Sequence, residues 1–304
     1  MFDRIITGSD ISEELKGTRF RDDIKGLDGA DTLIGREGRD RLDGGLGSDD
    51  LLGGSGSDLF VASQGSDFHD GGKGTDTVSY AKAPEGVTIQ MNVSSGYPYG
   101  WAARHTFSSI EIVIGSNFND GLTGSSGNET IYGGRGNDNV NGWSGDDRLF
   151  GEAGNDTVLG GEGADRVVGG AGDDSARGDG GDDIVSGNGG NDALDGGTGN
   201  DTLNGGGGND QLVGAAGNDI LVGGAGSDTF TFYSTYGEDR VTDFEVTERD
   251  RIYFYQVALD FNDVLDHART VNGNTVITFD EGTVTIENLL KSQLTEDMFL
   301  IYNG

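Results

Sequence analysis

The residues of this chain whose types and spacing could do chemistry are its carboxylates. From Gly133 the sequence reads GGRGNDNVN, GWSGDDRLF, GEAGNDTVL, GGEGADRVV, GGAGDDSAR, with an aspartate sixth in each nonapeptide. The register holds from Gly115 to Thr231 for thirteen nonapeptides, and a second tract from Gly8 to Ser79 adds eight. Position six is aspartate in 19 of these 21 repeats and glutamate in two, Glu13 and Glu129. Paired carboxylates therefore occur everywhere, which removes them as a glycosidase signal. Their repetition points to ligands for a cation.

The elements that position these carboxylates follow from the rest of the pattern, G-G-x-G-x-D-x-U-x with U apolar. Position one is glycine in 20 repeats, Ala62 being the exception, and position four in 18, with Ile11, Phe20 and Phe118 departing. Position eight is apolar in all but one repeat, where His69 stands. The glycines permit φ > 0 and close backbone approach, so six residues form a tight turn. The remaining x-U-x reads as a three-residue strand with U inward, and two repeats close a coil of 18 residues. Successive coils stack their strands about 4.8 Å apart into two parallel sheets. One apolar side chain per nine residues is too little to hold a coil by burial alone.

Stacking sets Asp138 beside Asp156 and Asp174 along one edge, and Asp147, Asp165, Asp183, Asp201 and Asp219 along the other. Two unit charges about 5 Å apart repel by roughly 3 kcal/mol at an effective dielectric near 20. Such ladders require cations, and carboxylate plus turn-carbonyl oxygens suit Ca²⁺ better than Mg²⁺, which demands tighter octahedral geometry.

Composition agrees. The 304 residues are 33% hydrophobic, with 58 glycines, two prolines and a formal net charge of −33. Collagen is excluded, because the glycines do not recur every third residue. High charge with few apolar residues describes a disordered chain in the metal-free state. Nucleic acid and anionic membranes should be repelled. There is no cysteine, no stretch long enough to span a bilayer, and no cleavable signal in MFDRIITGSD.

On these repeats the chain resembles the RTX (haemolysin-type) calcium-binding repeat family. The resemblance implies an all-β fold, a right-handed parallel β-roll with an interrupting insert and a C-terminal β cap. It also implies Ca²⁺ between turns one coil apart, held by carbonyls of positions two and four and the aspartate of one turn. Carbonyls of positions one and three and the aspartate of the next complete the set. Carried over, one site is Gly134, Gly136 and Asp138 with Gly151, Ala153 and Asp156. The other expected ligands are Asp31, Asp40, Asp49, Asp58, Asp67, Asp76, Asp147, Asp165, Asp174, Asp183, Asp192, Asp201, Asp210, Asp219 and Asp228. About 17 same-side pairs would bring roughly +34 of charge, close to cancelling the formal total. The first two repeats, rich in cations and lacking glycines, read as an N-terminal cap.

Four regions result: residues 1–79, an aromatic insert at 80–114, a second tract at 115–231, and a β cap at 232–304. The insert carries Tyr97, Tyr99, Trp101 and Phe107, and reads either as a sugar- or partner-binding loop or as packing on the roll edge. In the last region RIYFYQV, TVITFD and TVTIENL alternate as strands, with turns at Asn272–Gly273 and Glu281–Gly282. LTEDMFLIYNG resembles the uncleaved type I secretion signal of RTX proteins, and its bland reading is a final strand.

Among catalytic patterns, H-E-x-x-H and G-x-S-x-G are missing, and His69, His105 and His267 lie far apart in sequence. The expectation is a secreted, extracellular, non-enzymatic calcium-binding protein, exported by type I secretion machinery, with a glycan, surface or host partner. Its repeat-dominated plan is similar to that of a secreted rhizobial nodulation protein. The alternative is a C-terminal export and folding module of a secreted protease, lipase or alginate epimerase. The start at Met1, with repeats by Gly8, counts against that alternative.

Overall fold

Strands in the repeats run longer than the three residues x-U-x. Thr32–Glu37 and Thr202–Gly207 each cover positions seven to nine and one to three of the following repeat. Their burial alternates so that the apolar residue and the position-one glycine both face inward. The reason is the missing Cβ at position one: neighbouring backbones stay close enough to continue the parallel ladder past the apolar residue. The pairing therefore includes Gly206↔Gly224 and Gly207↔Ala225.

The computed structural model describes residues 3–92, 101, 104–233, 237–255, 257, 260–280 and 282–302. It divides into two compact units, Met1–Gly151 and Glu152–Gly304. In the first unit, one face of the roll aligns Ile24, Leu42, Phe60 and Val78 in parallel register, each 18 residues after the last. The other face aligns Leu15, Leu33, Leu51 and His69.

The insert is woven into this stack instead of packing on its edge. Thr106–Ser108 pairs in parallel with Phe68–Lys73, and Ile112–Ile114 pairs with Thr77–Ser79, so the insert extends both faces. Thr88–Gln90 starts a separate sheet with Gly121–Thr123 and Asn139–Ser144. Tyr80, Val87, Ile89, His105 and Ile110 are buried. Where one sheet ends and the next begins, Met91, Phe107, Glu111, Ser125 and Glu129 line a cleft of about 250 Å³. Tyr97 and Tyr99 lie outside the described residues.

In the second unit, one face aligns Val167, Val185, Leu203, Leu221, Val241 and Ile286. The other aligns Val158, Ala176, Leu194, Leu212, Phe230, Ile252 and Phe299. The roll thus continues past the last nonapeptide. An antiparallel meander, Ala268–Val271, Asn274–Phe279 and Gly282–Ile286, completes this end. Its first turn, Asn272–Gly273, has φ of 52° and 88°, the paired positive values of a type I′ hairpin. Glu281 of the second expected turn is outside the described residues. A seven-residue helix, Phe261–His267, had no counterpart in the alternating pattern; Asp260 caps it by accepting the Asp263 N–H. Here Phe230, Phe232, Phe244, Phe254, Phe279 and Phe299 are buried, replacing single aliphatic residues with an aromatic core.

Candidate metal centre

Most position-six carboxylates are held by a backbone N–H from the preceding coil, whereas Glu13, Asp22 and Glu129 accept from an N–H of their own turn. In the first unit the N–H groups of Asp22, Asp40 and Asp58 donate to the Oδ1 atoms of Asp40, Asp58 and Asp76, at 2.7 Å each. On the other edge Glu13, Asp31 and Asp49 donate to Asp31, Asp49 and Asp67 at 2.8–3.1 Å. In the second unit the chains run Asp156, Asp174, Asp192, Asp210, Asp228, Asp250 and Asp165, Asp183, Asp201, Asp219, Asp239, at 2.7–2.9 Å.

The second oxygen of these carboxylates is the informative atom. Oδ2 of Asp31, Asp40, Asp49, Asp58 and Asp76, and of Asp174, Asp183, Asp192, Asp201, Asp210, Asp219, Asp228 and Asp239, is buried and makes no hydrogen bond. An orphaned buried carboxylate oxygen is costly, and a run of them calls for a cation. Each one within a nonapeptide points at a space that only glycine leaves open. A Cβ on Gly35 would stand 2.6 Å from both Asp40 Oδ2 and the Gly53 carbonyl. One on Gly53 would stand 2.5 Å from Asp58 Oδ2 and 2.8 Å from the Gly71 carbonyl. Carbonyls of positions two and four also face the next turn, as Asp179 faces Gly197 and Gly181 faces Gly199. The donor set is all oxygen, carboxylate with carbonyl, which fits Ca²⁺. The position-three carbonyl already accepts a bond, Gly163 N–H to Gly180 O at 2.7 Å, and keeps one lone pair for a metal.

Electrostatics agree with the geometry. Burial, reinforced by neighbouring carboxylates and opposed by the N–H bonds, pushes Asp40, Asp49, Asp58, Asp174, Asp201 and Asp228 up to about 6. Asp183 and Asp239 rise to about 7 for the same reasons. A calcium ion held by these oxygens would supply the positive charge that keeps such a carboxylate ionised at neutral pH.

The glycines divide by backbone demand. Position four has φ of 112–151° wherever the value is positive, a region for glycine alone; position two also accepts Leu27, Arg36, Trp143, Glu152, Asp179, Asn188 and Ala215 at 68–85°. Of the carried-over site, Gly134, Gly136, Asp138 and Gly151 lie in the first unit, Ala153 and Asp156 in the second.

The pattern also contains ligand-bearing and ladder residues that reading by repeat passed over. Asp239 and Asp250 lie beyond the last nonapeptide yet accept the N–H groups of Asp219 and Asp228. Glu111, inside the insert, accepts the Asp76 N–H at 2.8 Å. Position five, written as x, carries a second ladder on the exposed side. Asn191 donates to Asp173, and Asn209 to Asn191; Asn200 donates to Asp182, and Asn218 to Asn200, at 2.7–3.1 Å. The recurrent Asn or Asp before the conserved-spacing aspartate was its signal.

At Asp67 the ladder changes partner. The residue one coil on is His105, whose Nε2 lies 3.2 Å from Asp67 Oδ2, and Thr106 N–H donates to the Asp67 carbonyl. Sequence separation hid that His69 and His105 meet, with ring centroids 5.1 Å apart. Burial, with His105 beside it, lowers His69 to about 3 against the opposing pull of Asp67 and the Thr106 backbone.

A parallel roll of glycine-rich coils with carboxylates stacked along its edges defines a calcium-binding repeat protein. The family model for the RTX calcium-binding nonapeptide repeat matches residues 16–51, 43–78, 123–158, 159–194 and 195–230, more than half of the chain. The chain belongs to that family. Among solved structures it is similar to an extracellular lipase from Serratia marcescens, at 18% identity and a TM-score of 0.29 over 94% of this chain. The chain spans 40% of that lipase. It is also similar to a hyperactive, Ca²⁺-dependent, β-helical antifreeze protein from an Antarctic bacterium, at 18% identity and a TM-score of 0.31, covering 81% of this chain and 77% of that one. No curated protein matches it. No helix among the described residues is long and apolar enough to cross a membrane.

Proposed function

We propose that this chain is a secreted protein whose roll folds when calcium binds outside the cell, and that the folded surface serves as an extracellular binding or effector scaffold. The observation that carries the reading is the run of buried, unbonded Oδ2 atoms aimed into glycine-lined spaces. Position-six aspartates Asp31, Asp40, Asp49, Asp58 and Asp76, those from Asp138 to Asp147, and those from Asp156 to Asp228 are the proposed ligands, joined by turn carbonyls; Asp67, whose Oδ2 faces His105, stands apart from them. At sub-micromolar calcium the carboxylates repel and the chain stays open; at millimolar calcium they are bridged and the coils close. An open chain at cytosolic calcium suits passage through type I secretion machinery, with residues 232–304 as the segment recognised.

Far-UV circular dichroism in EGTA and in millimolar Ca²⁺ tests the folding step. A coil-like spectrum in EGTA that converts to a β spectrum with calcium is expected; the same β spectrum in both would sink it.

A further inference from the structure

The strongest unexplained chemistry in the molecule sits where the calcium ladder stops. The seventh nonapeptide, ASQGSDFHD (62–70), is abnormal twice: alanine replaces glycine at position one, and histidine replaces the apolar residue at position eight. In the fold that histidine belongs to a buried cluster with Asp67 of the same repeat and His105 from the insert. Ligand atoms of Asp67, His69 and His105 lie within 4.8 Å of one another, and all three residues are buried. The side chains of Asp67 and His105 are 0% and 1% exposed.

His69 is the unsatisfied member. Its ring is stacked on Phe107 at 5.5 Å and edge-on to Phe60 at 5.7 Å. Neither ring nitrogen completes a hydrogen bond, though the residue is wholly buried. A buried imidazole always has at least one N–H to satisfy, so leaving both nitrogens orphaned costs more than the leucine found at this position in other repeats. His105 is held from behind: its Nδ1 lies 2.9 Å from the Tyr80 hydroxyl, inside the core. A histidine that donates Nδ1–H to an outer partner presents the Nε2 lone pair forward, the usual arrangement of a metal-ligating histidine. That Nε2 is 3.2 Å from Asp67 Oδ2, close to the separation of about 3.3 Å for two atoms bound tetrahedrally to one Zn²⁺.

We propose that Asp67, His69 and His105 form a buried site for a first-row transition-metal dication of the zinc class, chemically distinct from the calcium turns. Two imidazole nitrogens and one carboxylate oxygen are borderline ligands that suit Zn²⁺, whereas Ca²⁺ takes oxygen. Tyr80 positions His105, and Ser63 Oγ, 3.3 Å from Asp67 Oδ2, steadies the carboxylate. The metal would pin the insert to the coil that precedes it, since His105 is contributed by one and Asp67 and His69 by the other.

The test uses the full chain in millimolar Ca²⁺, which occupies oxygen sites, and titrates ZnCl₂ by calorimetry with metal content checked by elemental analysis. The expected result is one tight zinc per chain. His69→Leu restores the apolar residue of the repeat, so its calcium-induced circular dichroism should be retained while zinc affinity falls by about 100-fold or more. Tyr80→Phe should weaken binding about 10- to 100-fold. Zinc binding that is equal in wild type and His69→Leu assigns the ion to the acidic turns and overturns the proposal. So does wild type binding no zinc. Should His69→Leu fail to fold, Co²⁺ in the wild-type chain decides. Intense visible bands of low-coordinate, nitrogen-ligated cobalt support the site, and the pale spectrum of all-oxygen octahedral cobalt refutes it.

Discussion

The ladder from Asp174 to Asp228 and the coil from Asp58 to Val113 are built on the same parallel register, yet they are stabilised by opposite means. In the ladder each coil buries two apolar side chains such as Val185 and Leu194, and sets orphaned carboxylates beside them. In the insert coil Phe60, Tyr80 and Phe107 surround two histidines, and the one aspartate on that edge turns to nitrogen partners. Repetition without bulk leaves a ladder whose orphaned carboxylate oxygens call for a cation. Aromatic bulk at one point lets the chain depart from the repeat.

The sharpest way to break this comparison is to exchange the position-one residues. Gly196→Ala would place a methyl group inside van der Waals contact of Asp201 Oδ2 and 2.8 Å from the Gly214 carbonyl. It should cost about 1–3 kcal/mol as an overpacked site and move the calcium midpoint of folding to higher concentration. Ala62→Gly, at the same position of the insert coil, should change stability by about 1 kcal/mol or less. Equal effects in calcium titrations followed by circular dichroism would erase the distinction between the two regions.

A smaller but more diagnostic contrast is pH in the presence of chelator. The ladder aspartates are raised in the fold to about 6–7 from an ordinary 3.8, so the folded form binds more protons than the unfolded chain across that window. Stability of the metal-free ladder therefore falls as pH rises from about 4 to 7, and acidification should restore order. His69 has the reverse sign: held at about 3 in the fold against 6.5 unfolded, it opposes folding increasingly as pH drops below 6.5. Hydrogen exchange in EGTA, corrected for intrinsic rates, should show protection gained at residues 174–228 between pH 7.5 and pH 5, with a smaller gain around residues 60–78, where His69 opposes Asp58 and Asp76. The smallest effect belongs to the exposed ladder. Asn191→Ala removes the acceptor for the Asn209 N–H and should lower stability in calcium by about 0.5–1 kcal/mol, read as a small drop in melting temperature.

The roll, its 18-residue coil and the place of each aspartate were legible because position six is fixed by a repeated chemical need. Position four was legible for the same reason, since φ near 130° admits glycine alone. What the pattern hid were contacts with no local signature. Asp239 and Asp250 join the ladder after spacings of 20 and 22 residues instead of 18, which a strict nonapeptide frame cannot reach. His105 enters position six of the broken edge from the insert, 38 residues after Asp67, and only the fold reveals the pairing. Six-residue strands were missed because glycine was counted as turn alone.

The direction of the aspartate bonds has a consequence for how order spreads. In the second unit the carboxylates from Asp174 to Asp250 and from Asp183 to Asp239 are oriented by an N–H from the coil before, so each of those N–H groups waits on an acceptor that lies later in the chain. The last acceptors, Asp239 and Asp250, belong to the end of this unit where Phe230, Phe254 and Phe299 are buried, apolar area that needs no ion. We expect that end to act as a seed crystal for the second unit. From it the growth front advances toward lower residue numbers, each finished coil presenting a pre-set row of oxygens on which the next is laid down.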